Sequence, residues 1–209
     1  MKIAVVGCNG RVGSLVVKEA VKRGIEVTGF GPEENRSEVN DFVMKDGLSL
    51  TREELLSFDA VVDAVGGWTP DTIPNIAKVM THLASILDGS NVRLICVGGA
   101  GSLYTNAERT LTVDMGSDFP DSWKPLSNAH KEGLAALKAS KNLDWTSLSP
   151  ACNFIADGER TGKYKLGGED LILSSKGTSE ISYADYAIAL VDVLESDKHH
   201  CERISVVSA

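Results

Sequence analysis

The chain has 209 residues, of which 43% are hydrophobic and 24% charged, proportions typical of a folded globular protein rather than a disordered or fibrous one. Its 21 Lys and Arg against 29 Asp and Glu give a net charge of -8, and without any run of basic residues nucleic acid and anionic membranes are poor candidate partners. No stretch approaches the roughly 18 apolar residues of a membrane span, and the cysteines show no CxxC spacing, so we expect a cytoplasmic protein with buried thiols.

The first thirty residues predict a strand, a tight turn, a helix and a second strand. The run KIAVVG is short and β-branched, and RVGSLVVKEAVKRG carries apolar residues at helical spacing before Gly24 offers a stop. The run IEVTGF follows at once as the next strand. Because a helix joins the two strands through short loops, we expect them to run parallel.

The same alternation continues to the end of the chain. The turn-rich stretch GPEENRSEVNDF precedes a short strand, FVMKDG, and Thr51 with Glu54 fits a capping box before a brief helix. The later predicted strands are DAVVDAVGG, VRLICVGG, DWTSLSP and RISVV. The later predicted helices are residues 73–87, about 128–140, and YADYAIALVDVLES, which Ser182 caps, and TGKYKLGGED is predicted as a loop.

This alternation predicts an α/β fold with a doubly wound, mostly parallel sheet and helices on both faces. Such a three-layer α/β/α arrangement is the Rossmann fold. Residues 1–209 show no repeat, low-complexity tract or shift in composition, so we expect one domain. The segments from about 100–127 and 151–180 are the expected substrate-site loops, since long loops in compact domains usually serve a site.

Three glycines lie between the first strand and the first helix. Gly7, Gly10 and Gly13 form a GxxGxxG motif, in which the first allows a sharp turn and the second lets a pyrophosphate approach backbone N–H groups. The third allows the helix to pack closely on the strand. The helix N-terminus offers free amides and partial positive charge to the phosphates. The motif therefore predicts dinucleotide binding, with a tight turn lacking a ligand as the alternative.

The motif and four later segments resemble one known family. VVGCNGRVG is similar to the glycine motif of the atypical short-chain dehydrogenase/reductase family, in particular its small NAD(P)H-binding members, which include NADH:flavin reductase-like and biliverdin reductase B-like proteins. FDAVVDAVGGW, RLICVGGAGSLY, LDWTSLSPA and ISYADYAIALVDVLE stand in the order of that family's fourth, fifth and sixth strands and its late helix. The resemblance covers most of the chain and implies the same fold.

The resemblance also implies which residues surround the cofactor, in groups that follow the strand ends. The pyrophosphate group is Gly7, Asn9, Gly10, Arg11, Val12 and Gly13. The adenosine group is Phe30, Asp46, Ala64, Val65 and Gly66, with Asp46 beside the adenine. The nicotinamide group is Val97, Gly98, Gly99, Ser149, Pro150 and Ala151. For Asp46 the alternative is a solvated turn residue, because Asp-Gly is itself a turn signal.

The choice between NAD and NADP depends on the residues after the second strand. An acidic residue there would bind a ribose 2′-hydroxyl, whereas an arginine would accommodate a 2′-phosphate, and neither stands directly at the strand end. Arg11 or Arg36 could reach a 2′-phosphate, whereas Glu33 or Glu34 could instead bind a ribose 2′-hydroxyl. We expect NADP, with NAD as the alternative.

The usual proton donor of the wider family is missing. Typical members reduce carbonyls with a YxxxK pair on one helix, and no YxxxK occurs here. Counting back from LDWT, the lysine position falls on Lys131 or His130 and the tyrosine position on Ser127 or Leu126. This absence disfavours alcohol dehydrogenase chemistry. It leaves hydride transfer to a flavin, whose N5 accepts hydride directly.

The remaining candidates for catalysis are Ser102 at the end of the fifth strand, His130, and Lys131. Strand C-termini are where ligands bind in open parallel sheets, and histidine has a pKa range suited to proton donation. Flat side chains on the surrounding loops are candidates for holding the acceptor, with loop packing as the alternative. These acceptor-binding candidates are Trp68, Tyr104, Trp123 and Phe154.

The sequence therefore predicts an NAD(P)H-dependent oxidoreductase that passes hydride to a free flavin such as FMN or a similar flat acceptor. The first alternative is a redox sensor that binds NAD(P) without catalysis. The second is a sugar-nucleotide epimerase or dehydratase, which would want the Tyr-Lys pair. We expect a small-molecule substrate, no metal, no nucleic acid and no membrane partner, and a homodimer is kept open.

Overall fold

The computed structural model describes residues 1–209, along which ten strands and five α-helices follow one another. The strands are β1 (Lys2–Val6), β2 (Glu26–Gly31), β3 (Asp41–Met44), β4 (Ala60–Asp63), β5 (Arg93–Val97), β6 (Trp145–Ser149), β7 (Asn153–Ile155), β8 (Tyr164–Gly167), β9 (Glu180–Ser182) and β10 (Glu202–Ser208). The helices are α1 (Arg11–Lys22), α2 (Arg52–Leu55), α3 (Ile73–Leu87), α4 (Lys124–Ala139) and α5 (Tyr183–Glu195).

Eight strands form one sheet in the order β3-β2-β1-β4-β5-β6-β10-β8. Every neighbouring pair is parallel except β10 with β8, which is antiparallel at one edge. Strands β7 and β9 form a separate parallel pair. The strand order reverses at β1, which has β2 on one side and β4 on the other. The doubly wound, mostly parallel Rossmann fold predicted from the sequence is therefore confirmed.

Helices cover both faces of this sheet. Helices α1 and α5 pack on one face through a cluster that includes Val16 and Leu190. Helices α3 and α4 pack together on the other face through Leu83 and Leu137. Because the apolar residues of β1 alternate between these two clusters, the strand is buried on both sides, as parallel strands usually are. None of the helices has the length and apolar character needed to span a membrane.

Three local signals in the sequence act as expected. Gly24 ends α1 with a φ of +76°, a conformation that glycine adopts without steric cost. The backbone N–H of Thr51 donates to Glu54 Oε2 at 2.8 Å, which completes the capping box of α2. Ser182 Oγ accepts from the N–H of Asp185 at 3.0 Å and caps α5.

Several segments differ from the sequence prediction, and strands β7 and β9 were not predicted. Helix α4 begins at Lys124, four residues earlier than expected, because a proline is tolerated in the first turn, where its missing N–H is not needed. The assignment of TGKYKLGGED wholly to a loop is wrong, since Tyr164–Gly167 forms the edge strand β8. Its pairing with β10 joins residues far apart in the chain, such as Gly167 with Ser205, and no local period reveals it.

Candidate functional site

The candidate site lies at the carboxyl edge of the sheet, beside the point where the strand order reverses. Strand β1 leads there into the glycine turn and α1, while β4, β5 and β6 end nearby. In open parallel sheets this crevice is where ligands bind, because the loops on its two sides diverge onto opposite faces. The three groups of residues implied by the resemblance lie on segments that end or follow strands of the sheet, with Phe30 in β2 and Asp46 just after β3.

The turn after β1 requires two of its glycines for steric reasons. Gly7 has a φ of +80°, and its N–H donates to the carbonyl of Phe30 at 2.9 Å. A Cβ on Gly7 would lie 2.9 Å from the carbonyl oxygen of Ala64. A Cβ on Gly13 would lie 2.2 Å from the carbonyl oxygen of Gly7, which no side chain can do. The turn therefore holds β1, β4 and α1 at the close approach that a dinucleotide cradle needs.

The N-terminus of α1 is open to a ligand. Gly10 is the N-cap residue in an extended conformation, and no side chain caps the helix or places an acidic group in its first turn. The first N–H groups of a helix have no partner within it, so those of Arg11, Val12 and Gly13 are free for an anion. The arrangement fits the diphosphate of a nicotinamide dinucleotide.

Two side chains expected around the pyrophosphate have other partners. The Asn9 amide nitrogen donates to the carbonyl of Glu34 at 2.8 Å, and its oxygen accepts from the N–H of Arg36 at 2.7 Å. Asn9 thus ties the glycine turn to the loop after β2. The Arg11 guanidinium contacts both oxygens of Asp157 at 3.1 Å on the surface. A phosphate contact by either residue would come from the backbone, or from Arg11 after it leaves Asp157.

The adenosine side is formed mainly by backbone. Phe30 packs edge-on against Phe58, with ring centroids 6.2 Å apart, so its ring belongs to the core beneath the edge. Asp46 accepts from the N–H of Leu48 at 2.8 Å, which is the turn role that the sequence left as its alternative. Ala64 is buried against Gly7, and its neighbours Val65 and Gly66 are more exposed along the same edge.

A buried carboxyl beneath this edge was missed in the sequence analysis. Asp63 ends β4, pairs laterally with Val6 and Cys96, and is only 3% exposed. Its one hydrogen bond comes from the N–H of Val65 at 3.1 Å. Burial raises the pKa of Asp63 to about 7. An acidic residue inside the apolar run DAVVDAVGG was the signal that could have revealed it.

The expected nicotinamide end contains two unpaired buried polar atoms. Ser149 Oγ and His130 Nδ1 are both buried without a hydrogen-bond partner. A Cβ on Gly98 would lie 3.1 Å from Ser149 Oγ, and one on Gly99 would lie 2.8 Å from the His130 ring, so the two side chains lie against the Gly98–Gly99 backbone. Unsatisfied buried polar groups are rare and expected where a ligand supplies the partner. Val97, Pro150 and Ala151 adjoin the same strand ends.

Burial also determines the charge of His130. It lowers the pKa of the imidazole to about 4, so the ring is neutral near pH 7. The charged proton donor expected from the sequence is therefore scarce at that pH, which argues against this role. A neutral ring still offers one donor and one acceptor nitrogen to a ligand.

The two residues at the positions of the missing Tyr-Lys pair, Ser127 and Lys131, both bind the carboxylate of Asp114. Lys131 Nζ and Ser127 Oγ both lie 2.5 Å from Oδ2 of Asp114, and Thr112 Oγ1 donates to Oδ1 at 2.7 Å. Burial opposes ionisation of Asp114, but the bonds from Lys131 and Ser127 hold its pKa below the ordinary value. A Cβ on Gly101 would lie 2.2 Å from Ser127 Oγ. This cluster anchors the 100–127 loop to α4, and the catalytic role predicted for Lys131 has no support from its contacts.

The remaining candidates divide between the crevice rim and the interior. Trp68 is 72% exposed after β4 and Trp123 is 53% exposed just before α4, so both rings are open to solvent. Phe154 instead packs on Tyr183 and Tyr186, with centroids 4.0 and 4.9 Å away, which argues against its predicted acceptor contact. No group of three or more His, Cys, Asp or Glu side chains is arranged to hold a metal ion.

Ser102 and Tyr104, the other two candidates, follow β5 and contact a buried arginine of β10. Arg203 Nη1 donates to Ser102 Oγ at 2.8 Å and to its carbonyl at 2.9 Å. The same guanidinium lies over the Tyr104 ring, 5.6 Å from its centroid. Ser102 is therefore held by a contact that the sequence did not reveal.

Comparison with known proteins agrees with this geometry. The model of the family described as NAD(P)H-binding matches residues 7–197. The uncharacterized protein YwnB of Bacillus subtilis strain 168 is 38% identical over 210 residues, covering 100% of this chain and 99% of YwnB. A Streptococcus pneumoniae TIGR4 protein proposed to be an NADH-flavin reductase has a crystal structure with a TM-score of 0.96 and 46% identity, covering 100% of both chains. A Bacteroides thetaiotaomicron protein proposed to be an epimerase has a TM-score of 0.85 and 33% identity, covering 99% of this chain and 96% of that one.

Proposed function

Because the chain belongs to the NAD(P)H-binding family, we propose that it is an oxidoreductase that passes hydride from NADPH to a free flavin or a similar flat conjugated acceptor. The observation that carries the choice of acceptor is the Asp114 cluster. Ser127 and Lys131 stand where a Tyr-Lys acid would act, and both are bound to that carboxylate. An acceptor that takes hydride at ring nitrogen needs no proton from the protein in the same step.

The chain's own residues would hold the cofactor at two places. The glycine turn and the free amides of the first turn of α1 would bind the diphosphate. Ser149 and His130 would supply hydrogen bonds to the nicotinamide half, because their buried atoms lack partners in the chain. The bound cofactor supplies the hydride. The protein's part would be to fix its orientation and to keep the Gly98–Gly99 backbone free of side chains where a second ring would approach.

The exposed rings at the rim would hold the acceptor. Trp68 and Trp123 offer apolar faces to solvent, and stacking on such faces suits a flat conjugated molecule better than a small alcohol. The Streptococcus pneumoniae relative, itself only proposed to be an NADH-flavin reductase, supports the same class of acceptor.

The preference for NADP rests on the loop after β2. Asn9 fixes the backbone of Arg36 beside the glycine turn, and the Arg36 side chain pairs with Glu33 on the surface. A ribose 2′-phosphate would compete with the Glu33 carboxylate for that guanidinium. We therefore expect NADPH to be used in preference to NADH.

The test is steady-state oxidation of NADPH and NADH with FMN, riboflavin, a quinone and biliverdin as acceptors. Oxidation that depends on one of these acceptors is the expected result, and no acceptor-dependent turnover would refute the proposal. A redox sensor is the second candidate, because His130 is neutral near pH 7 and Lys131 is paired with Asp114. Tight cofactor binding measured by calorimetry, with no turnover of any acceptor, would favour the sensor.

A further inference from the structure

Arg203 carries a positive charge into the interior of the sheet. Its side chain is only 2% exposed. A buried charge is costly unless it is paired and hydrogen-bonded, so the atoms that receive its bonds are important for the fold around it. All of these acceptors belong to two residues, Ser102 and Glu169, and neither lies in a helix or a strand.

These two residues lie on the two segments, 100–127 and 151–180, that the sequence predicts as substrate-site loops, with Ser102 after β5 and Glu169 after β8. Arg203 Nη1 donates to the carbonyl and hydroxyl oxygens of Ser102 at 2.9 and 2.8 Å. Its Nη2 donates to the carbonyl and Oε2 of Glu169, each at 3.2 Å. The flat guanidinium thus joins the 100–127 loop to the 151–180 loop with one pair of bonds to each.

The contact continues through Tyr104. Its N–H donates to the carbonyl of Glu169 at 3.1 Å, and its own carbonyl accepts from the N–H of Leu171 at 2.8 Å. The guanidiniums of Arg203 and Arg109 both lie over the Tyr104 ring, 5.6 and 5.9 Å from its centroid. The ring is therefore held by two cations and by backbone bonds to the second loop.

A lysine on the surface pairs with Glu169, the charged acceptor of Arg203. Lys138 of α4 contacts Glu169 Oε1 at 2.7 Å. Burial opposes ionisation of Glu169, but the hydrogen bond from Lys138 and the charge of Arg203 hold its pKa below the ordinary value. Glu169 therefore stays ionised and remains a charged acceptor for Arg203 near neutral pH.

We propose that Arg203 is a positioning residue that joins the two loops into a single wall of the acceptor site. This inference rests on the proposed function for what the wall binds, but the joining of the loops stands on the contacts alone. The glycine turn of Gly7 to Gly13, which would bind the cofactor diphosphate, makes no hydrogen bond or ion pair with Arg203. We call the bonds of Arg203 to Ser102 and Glu169 the clamp. Loosening the clamp weakens acceptor binding and leaves binding of the cofactor diphosphate unchanged.

The chain offers a matched control in Arg93, a second buried arginine at the start of β5. Arg93 donates to Thr146 and to carbonyls at the end of α5 and in residues 196–199, away from both loops. Comparing Arg203→Lys with Arg93→Lys separates loss of the clamp from the general cost of replacing a buried guanidinium. Glu169→Gln keeps Arg203 in place and weakens the clamp from its outer end.

Two measurements on the full-length protein decide the inference. In hydrogen exchange without ligands, Arg203→Lys and Glu169→Gln should speed exchange together in residues 100–112 and 168–173, and Arg93→Lys should not. In kinetics, the two clamp variants should raise the acceptor KM by about tenfold, with the NADPH dissociation constant within about twofold of wild type.

The outcomes separate the two proposals. If the wild type turns over no acceptor, the proposed function fails, and the exchange measurement still decides whether Arg203 joins the loops. If the wild type is active but the clamp variants match Arg93→Lys in both exchange and acceptor KM, the clamp is refuted. Equal losses of acceptor and cofactor affinity would also refute it, because they would indicate a general loss of structure.

Discussion

Replacing Asp63 with asparagine should make the protein more stable at alkaline pH. The carboxyl is 3% exposed and has one hydrogen bond, from the N–H of Val65. Its pKa rises from 3.8 to about 7 on folding, which corresponds to about 4 kcal/mol of stability. Because the folded carboxyl holds its proton more tightly than the unfolded one, nothing is lost below about pH 4. Stability falls as the pH rises from about 4 through about 7, and the full cost applies above that range.

The measurement is urea-induced unfolding at about pH 5 and about pH 8.5, followed by the fluorescence of the buried Trp145. Asp63 should cost the wild type about 3 kcal/mol between the two values, so Asp63→Asn should lose clearly less and be the more stable protein at the higher pH. Exposed Asp71 supplies the control, and Asp71→Asn should follow the wild type. Equal pH dependence in Asp63→Asn and the wild type would show that the buried carboxyl is ionised at little cost, contrary to the reasoning.

Three further predictions concern the cradle, the loop anchor and the histidine. Gly13→Ala should weaken NADPH binding at least about a hundredfold in calorimetry, because its Cβ would lie 2.2 Å from the carbonyl oxygen of Gly7. The control Gly24→Ala should cost about 1 kcal/mol of stability and leave NADPH affinity unchanged. Equal NADPH affinities of the two variants would contradict this prediction. Asp114→Asn should lower the free energy of unfolding in urea by about 1–3 kcal/mol and speed proteolysis of the 100–127 loop, because it leaves Lys131 without its anion. An unchanged rate of proteolysis in this loop would count against its anchoring by Asp114. His130→Gln should keep the wild-type pH profile of kcat between about pH 6 and 8, because the pKa of the histidine is about 4, and loss of a titration there would refute this.

Local signals in the sequence predicted most of the fold. Buried parallel strands are near-continuous apolar runs, so β4 and β5 were visible, and glycines such as Gly24 marked where elements end. Strand β8 was not visible because it depends on pairing with β10 across a long separation in the chain. The four extra residues of α4 were hidden by its proline, which reads as a breaker unless it lies in the first turn.

The site was predictable where it consists of backbone and unpredictable where it depends on distant side chains. The glycine motif encodes a turn within a few residues, so the roles of Gly7 and Gly13 followed from their spacing. The contact of Ser102 with Arg203 spans 101 positions, and no pattern in a single sequence links them. No pattern in the sequence links Asp114 to Ser127 either, although their bond occupies the residue that stands at the position of the missing tyrosine.

The tight packing of Gly101 against Ser127 limits how this chain could regain the acid of its wider family. A tyrosine at position 127 would have to fill space that the Gly101 backbone and the Asp114 carboxylate already take. Ser127→Tyr alone would displace the 100–127 loop from α4. Placing a Tyr-Lys pair at positions 127 and 131 would therefore require changes on the 100–127 loop as well as on α4.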